Sequence, residues 1–336
     1  MDCTKVKGGY CCFGSTRSME YVVTTEKLTK IYGKKAAVQD IDLKIGEGEI
    51  YGLIGRNGAG KTTIMRMLSG LSNPTSGSFS LFGKNGPEAK KELSKVGVLI
   101  EEPGIFPKMN AYDNLRAKCI ARGCDSPEYI NGLLELVGLS DTGKKKAGSF
   151  SLGMRQRLGI ALALAGDPKL IILDEPINGL DPQGIVEVRN TLSRLRDERG
   201  ITIMISSHIL DELGKLADHY GIIDGGKLID EFTTDEMISK STRYTLVVTD
   251  KNEEAAKLIR KMNIGEVDFA DENTIRVKAE FDRSKNVVKK LVENDIFVKE
   301  VNAGKFTLED YFLSITGGGN TDEQTDKDGS VQDAKV

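Results

Sequence analysis

The chain has 336 residues, 39% hydrophobic and 29% charged, an ordinary globular composition with room for one large domain and a smaller one. A formal net charge of −3 and a pI near 5.7 argue against a nucleic-acid binder, which would carry a basic face; the run Lys144–Lys145–Lys146 reads as a solvated loop. The five cysteines are odd in number and include no CxxC pair, which argues against a zinc site or a disulfide framework and fits a reducing compartment, and no apolar run approaches the ~18 residues of a spanning helix, so a partner must supply any membrane span.

Residues 1–18, MDCTKVKGGYCCFGSTRS, show no period and lack a signal-peptide core. They read as a flexible extension before a more usual start at Met19. Residues 19–232 read as a three-layer α/β domain, in which short apolar strands alternate with helices from Tyr21 to about Glu231. Within it VGVLIEEP, LIILDEP and ITIMISSH are runs too short for surface helices and predict buried strands. The alternation breaks from about Gly104 to about Lys146. That break is a mostly helical insert, which extends to about residue 165 when the next helix is counted with it. The helix follows FSLGMRQRL, residues 150–158. Ser151 is a natural N-cap, and Leu158, Ala161, Leu162 and Ala165 recur at helical spacing, which predicts an amphipathic helix. Its start is costly. Gly153 lies in the first turn, at roughly 1 kcal/mol against alanine, and Arg155 and Arg157 lie near the positive end of the dipole. The arrangement calls for an anion.

Residues 243–316 form a second pattern. RYTLVVTD predicts a strand, and Ala255, Leu258, Ile259 and Met262 a helix face. VDF and TIRVKAEF predict two strands separated by ADEN. Val287, Val288, Leu291 and Val292 give a second helix face, and IFVKEV a last strand. The order βαββαβ is ferredoxin-like. Thr307 then caps a short helix with Leu308, Tyr311, Phe312 and Ile315 on one face. No polar constellation here looks like a site. A ligand sensor, a dimer brace and plain packing are all compatible with it, and packing is the simplest. Residues 317–336 are polar and acidic and predict a disordered tail.

Three stretches carry chemistry. Gly55 to Thr62 reads GRNGAGKT, the phosphate-binding pattern GxxxxGK[ST], between a strand (EIYGLIG) and a helix (TTIMRMLSGL). A plain glycine-rich turn would not have both flanks. In this loop Gly55, Asn57, Gly58 and Gly60 let backbone N–H groups face phosphates. Lys61 would hold the β and γ oxygens, Thr62 would ligate Mg²⁺, and Thr63 would sit at the dipole end of the helix. LIILDEP places Asp174 at a strand end where it could reach Mg²⁺ through water, with Glu175 next along to polarise a water. His208 ends the strand ITIMISS, one βα step later, where adjacent strand ends could bring it to the γ-phosphate. His219 has no such context and reads as structural.

In this order, with NGLD following the DE strand, the set resembles an ABC-type ATPase over about residues 20–232. Lys61 and Asp174 are little more than a hundred residues apart, the spacing of a transporter ATPase rather than of the coiled-coil chromosome-maintenance relatives. The resemblance implies a P-loop NTPase fold, ATP and Mg²⁺ as ligands, and a head-to-tail pair of ATPase subunits, most simply a homodimer. It also implies a separate transmembrane permease and a place on the cytoplasmic side of the membrane. The anion at the FSLGM helix would then be ATP on the partner chain, met by Ser151 and the Gly153 amide. Asn178, Gly179 and Asp181 would communicate between the two sites, and Tyr32 would stack on adenine. Two departures stand out: FSLGM replaces the common LSGGQ, and Glu101 stands where a glutamine is usual. A carboxylate there can meet Mg²⁺ but cannot donate an amide hydrogen bond. These departures, with FSLGMRQRLGIA and PGIFPKMNAYDNL, resemble the bacitracin and lantibiotic exporter subgroup. Another export substrate (a lipid, a polysaccharide or a drug) is the alternative, and a regulatory ATPase outside transport would need a basic arm or a second core that the sequence does not have. The IFP tip at Ile105–Pro107 either enters a groove for a partner helix or packs on the insert.

Overall fold

A computed structural model describes residues 21–240, 244–278, 284–304 and 307–316; the readings for residues 1–18 and 317–336 lie outside the described residues. The chain divides into two compact units, Met1–Lys240 and Ser241–Val336.

The first unit opens on β1 (Tyr21–Tyr32), β2 (Lys35–Ile41) and β3 (Lys44–Gly46). Then come β4 (Ile50–Ile54), α1 (Lys61–Leu68), β5 (Ser76–Leu81), β6 (Lys84–Asn85) and α2 (Gly86–Glu92). Except for β4, these strands form an antiparallel sheet in the order β2-β1-β5-β6, with β3 beside β1. The simple strand–helix alternation expected from Tyr21 onward therefore fails here. The physical reason lies in β1, which buries hydroxyls: Thr25 and Thr29 are inside. Thr25 Oγ1 donates to the Ile41 carbonyl at 2.7 Å and accepts from the Leu43 amide at 2.9 Å. A hydroxyl so satisfied can be buried, yet it interrupts the apolar pattern by which a strand is recognised.

The unit continues through β7 (Val96–Leu99), α3 (Ala111–Arg122), α4 (Pro127–Leu136), α5 (Leu152–Leu164) and β8 (Leu170–Leu173). It ends with α6 (Pro182–Arg199), β9 (Thr202–Ser207), α7 (Leu210–Leu213), β10 (His219–Asp224), β11 (Lys227–Thr233) and α8 (Thr234–Lys240). The second sheet has the order β11-β10-β4-β9-β8-β7, parallel throughout except for β11. Every residue of β4, β8 and β9 is buried, as strands covered on both faces must be. This order puts the carboxyl ends of β4, β9, β8 and β7 side by side, the crevice where α/β sheets bind ligands.

Helices α3, α4 and α5 form the insert. The amphipathic reading of α5 is corrected. From Gln156 on, Leu158, Gly159, Ile160, Ala161, Ala163 and Leu164 are buried as well, because α5 packs against β7, β8, α3, α4 and α6 at once. A helix enclosed on several sides loses its polar face.

His219 is structural. Its Nδ1 lies 3.5 Å from Glu49 Oε1, and its ring meets that of Tyr51 edge-on at 5.2 Å. Burial works to lower its pKa, but the Glu49 hydrogen bond and the charges of Glu49, Glu231 and Glu236 raise it above the usual histidine value. A group whose pKa is raised on folding gives stability that is complete below its unfolded pKa and lost as pH rises through the folded one. Wild type should therefore lose thermal stability as pH rises past the usual histidine value of about 6.5, and His219→Gln should flatten that slope. Thermal melts on both sides of that value check it; an unchanged slope would remove His219 as the titrating group.

The second unit contains β12 (Tyr244–Thr249), α9 (Asn252–Lys261), β13 (Glu266–Asp271), β14 (Thr274–Lys278), α10 (Ser284–Val292), β15 (Val298–Gly304) and α11 (Leu308–Ile315). The order β13-β14-β12-β15, antiparallel at every pair, is the ferredoxin-like one. Val247, Ala255, Ile259, Ile275, Val287 and Leu291 make its core. Two details differ from the sequence reading. The hairpin turn is only Glu272–Asn273, since Asp271 still pairs with Thr274. Val292 ends α10 at 59% exposure rather than on the buried face. Thr307 and Asp310 form a capping box at the start of α11.

Candidate active site

The loop after β4 curls into α1 through glycines. Gly60 caps α1 at φ 113°, a conformation closed to side chains, and a Cβ there would lie 2.7 Å from the Ala37 carbonyl oxygen. The curl buries Lys61, whose Nζ donates to the Gly55 carbonyl at 2.6 Å. An open cleft of about 540 Å³ lies over the loop, within the range of small-molecule sites. Tyr32, Asn57, Gly58, Gly60, Lys61, Thr62, Thr63 and Glu175 line it, together with Lys35, Ala36, Ala37, Arg56, Gly225 and Gly226. Tyr32 is half exposed at 48%, and the Lys30 ammonium sits 5.1 Å from its ring centroid.

At the floor, strand order brings together residues far apart in sequence. Thr62 Oγ1 donates to Asp174 Oδ2 at 2.6 Å. Ser206 Oγ donates to Asp174 Oδ1 at 2.6 Å and accepts from the Glu175 amide at 2.9 Å. Glu175 follows β8 at φ 49°, which turns its carboxylate between two cations or donors: Lys61 Nζ at 3.2 Å and His208 Nδ1 at 2.7 Å. A hydroxyl and a carboxylate in contact are hard oxygen donors of the kind Mg²⁺ accepts, so Thr62 and Asp174 fit that ion.

Sequence reasoning missed Ser206 and the Gly225–Gly226 turn. Ser206 reads only as the end of an apolar strand, and its role depends on β8 pairing with β9. The double glycine marks a hairpin turn but not its place over the loop, where the Gly226 amide donates to the Ala59 carbonyl at 3.0 Å.

Ser151, Gly153 and Glu101 are not among the residues lining the cleft. Ser151 is exposed, and its Oγ caps α5 by accepting from the Met154 amide at 3.2 Å. A Cβ on Gly153 would meet nothing closer than 3.8 Å, so the packing of this chain does not require a glycine there. The question of an anion for the arginines is answered inside the chain. Arg157 pairs with Glu187 at 3.0 Å and donates to the Val137 and Gly138 carbonyls, while Arg155 donates to the Phe150 carbonyl at 2.8 Å. The Asn178–Asp181 turn lies against the same helix start: Leu152 Cδ2 would be 3.2 Å from a Cβ on Gly179, and Asp181 caps α6 through the Gly184 amide. Glu101, after β7, is ion-paired with Arg66. The 101–110 segment continues into α3 and is tied to it by Asn114, which accepts from the Phe106 amide at 2.7 Å and donates back to its carbonyl at 3.1 Å. Phe106 stands 56% exposed, while Ile105 is half-buried. Among the described residues no helix is long and apolar enough to cross a membrane.

The family description "ABC transporter" matches residues 38–178. The bacitracin transport ATP-binding protein BcrA of Bacillus licheniformis is 42% identical over 90% of this chain and 99% of its own length. The lantibiotic transport ATP-binding protein SrtF of Streptococcus pyogenes is 47% identical over 61% of this chain and 87% of its own. Among solved structures, the ADP conformation of an ATP-binding cassette of an ABC transporter superposes with a TM-score of 0.58 at 26% identity, covering 64% of this chain and 92% of that one.

Proposed function

The chain belongs to the ABC transporter family as a nucleotide-binding, ATP-hydrolysing subunit, and we propose that it powers export of a peptide antibiotic of the bacitracin or lantibiotic kind through a separate membrane permease. The observation that carries the substrate class is the match to the bacitracin relative along 99% of that protein's length, which includes the second unit as well as the ATPase core.

In this reading the cleft over Gly55–Thr63 takes the nucleotide, with Tyr32 against the base. Lys61 binds phosphate oxygens, and Thr62 and Asp174 hold Mg²⁺, with Ser206 fixing the carboxylate. When bound, that ion supplies positive charge against the β and γ oxygens. Glu175 orients the attacking water and accepts its proton, and His208 holds the other carboxylate oxygen so that it stays aimed. Exposed Ser151, beyond its cap of α5, and Gly153, whose packing in its own chain requires no glycine, meet the nucleotide of a second copy. Asn178, Gly179 and Asp181, packed on the same helix start, carry the state of one site to the other. The chain then works at the inner face of the membrane, with the segment from Glu101 to Leu115 touching the permease.

The direct test is drug susceptibility in a sensitive Gram-positive host expressing the chain together with a candidate membrane permease. Resistance to bacitracin or a lantibiotic, lost with Lys61→Met, supports the reading. Unchanged susceptibility to every peptide antibiotic, with ATPase activity intact, overturns the substrate class. The exposed Phe106 gives a second expectation. Phe106→Glu should weaken permease association about fivefold or more, the scale of an interfacial aromatic, and leave nucleotide affinity alone. Pull-down and nucleotide titration of the same protein check it; equal loss of both would make Phe106 a packing residue of the insert.

A further inference from the structure

The ion pair between Arg66 and Glu101 joins α1, which also carries Thr62, to the segment that follows β7, and nothing above uses Arg66. Arg66 lies on α1, four residues after Thr62, so the two share a helix face and stand about 6 Å apart along the axis. Glu101 leaves β7, which is separated from β4 by β9 and β8. Its φ of 63° is a left-handed conformation that a glutamate adopts only where its surroundings hold it there. Its carboxylate is paired with the Arg66 guanidinium. Glu101 is thus paired with a residue one helical turn from Thr62, on the same face of α1.

We propose that Arg66 is the positioning residue for Glu101: it keeps this carboxylate off the Thr62–Asp174 pair until magnesium nucleotide fills that pair, and then gives it up. The inference rests on the metal-holding role given above to Thr62 and Asp174. It accounts for a carboxylate at this position, since a neutral amide could not form the charged pair with Arg66. It also supplies a path outward. Glu101 begins the segment that Asn114 ties to α3 at Phe106, so a shift of Glu101 from Arg66 toward the site pulls on the insert. Both side chains are partly exposed, 38% for Arg66 and 62% for Glu101, so the pair is weak enough to exchange.

The test is a Mg²⁺ titration of fluorescent ATP-analogue binding to the full chain, read by fluorescence rather than by turnover. Arg66→Gln should lower the Mg²⁺ midpoint by about two- to fivefold, the scale of an exposed ion pair, because Glu101 is set free. Glu101→Gln should raise the midpoint. On the Glu101→Gln background Arg66→Gln should change nothing further. Arg66→Lys, which keeps the charge, should stay near wild type and covers the case in which Arg66→Gln folds poorly. A midpoint unmoved by Arg66→Gln, or moved equally on both backgrounds, overturns the proposal. So does a loss of affinity that is the same in EDTA, which would make Arg66 merely structural. Thr62→Val is the control for the underlying reading. If it leaves the midpoint unchanged, the metal pair itself is wrong and the Arg66 proposal falls with it; if it moves the midpoint and Arg66→Gln does not, only Arg66 is wrong.

Discussion

Glu175→Gln is expected to lower ATP turnover by about 10²–10⁴-fold, the contribution of a positioned general base, while nucleotide binds at least as tightly as to wild type. The amide keeps the shape of the side chain but cannot take a proton from water. Binding improves for a separate reason. In the free chain Glu175 Oε1 stands 3.2 Å from Lys61 Nζ, so an incoming phosphate must compete with a carboxylate for the same ammonium. Removing that negative charge leaves Lys61 to the phosphate. Turnover thus falls while the ATP-bound, paired state accumulates, and light scattering with ATP and Mg²⁺ should show a dimer that Ser151→Trp abolishes. His208→Ala should cost less than Glu175→Gln, because the Glu175 carboxylate remains and loses only the partner at 2.7 Å that aims it. Steady-state phosphate release and nucleotide titration on one preparation separate the effects. Parallel loss of turnover and binding in Glu175→Gln would make the residue a structural counter-ion of Lys61 instead of a base.

The legible parts of the sequence and the hidden ones divide along a physical line. The strands Val96–Leu99, Leu170–Leu173 and Thr202–Ser207 stand out because a strand covered on both faces carries a short apolar run, Val-Gly-Val-Leu, Leu-Ile-Ile-Leu and Ile203–Ile205 here. The loop before α1 stands out because only glycines tolerate its turns. The order of the ferredoxin-like unit follows from helix faces such as Ala255–Ile259, whose spacing survives in a small amphipathic layer. The antiparallel sheet at the start of the chain was not legible, since Thr25 and Thr29 are buried by hydrogen bonding rather than by hydrophobicity. The environment of α5 was not legible either. A helix packed on several sides carries no clean stripe, and four chance apolar positions imitate one. In the candidate site, what the sequence hides is pairing across strands. Ser206 reaches Asp174 only because β8 lies beside β9, and Arg66 on α1 reaches Glu101, beyond β7, across 35 residues of sequence. No local motif encodes either contact.

Lys61→Met carries the other large expectation, and it can be split into two parts. Lys61 is 6% exposed, with the Gly55 carbonyl at 2.6 Å and Glu175 Oε1 at 3.2 Å as partners. Loss of the ammonium removes charge-assisted hydrogen bonds to phosphate worth about 1.5–3 kcal/mol each, so nucleotide affinity should fall by about 10²-fold or more. It also leaves Glu175 without its cation. A fully buried carboxylate so abandoned costs about 3–5 kcal/mol; Glu175, at 21% exposure, keeps some water, and the loss of stability without nucleotide should be about 1–2 kcal/mol. The double variant Lys61→Met/Glu175→Gln separates the parts. Removing the orphaned charge should restore most of the stability, while nucleotide affinity stays low because the ammonium is still absent. Chemical denaturation and nucleotide titration of the two proteins give both quantities. Recovery of affinity in the double variant would mean that Lys61 serves mainly to neutralise Glu175, and that the phosphates are held by the backbone amides of residues 57–62 alone.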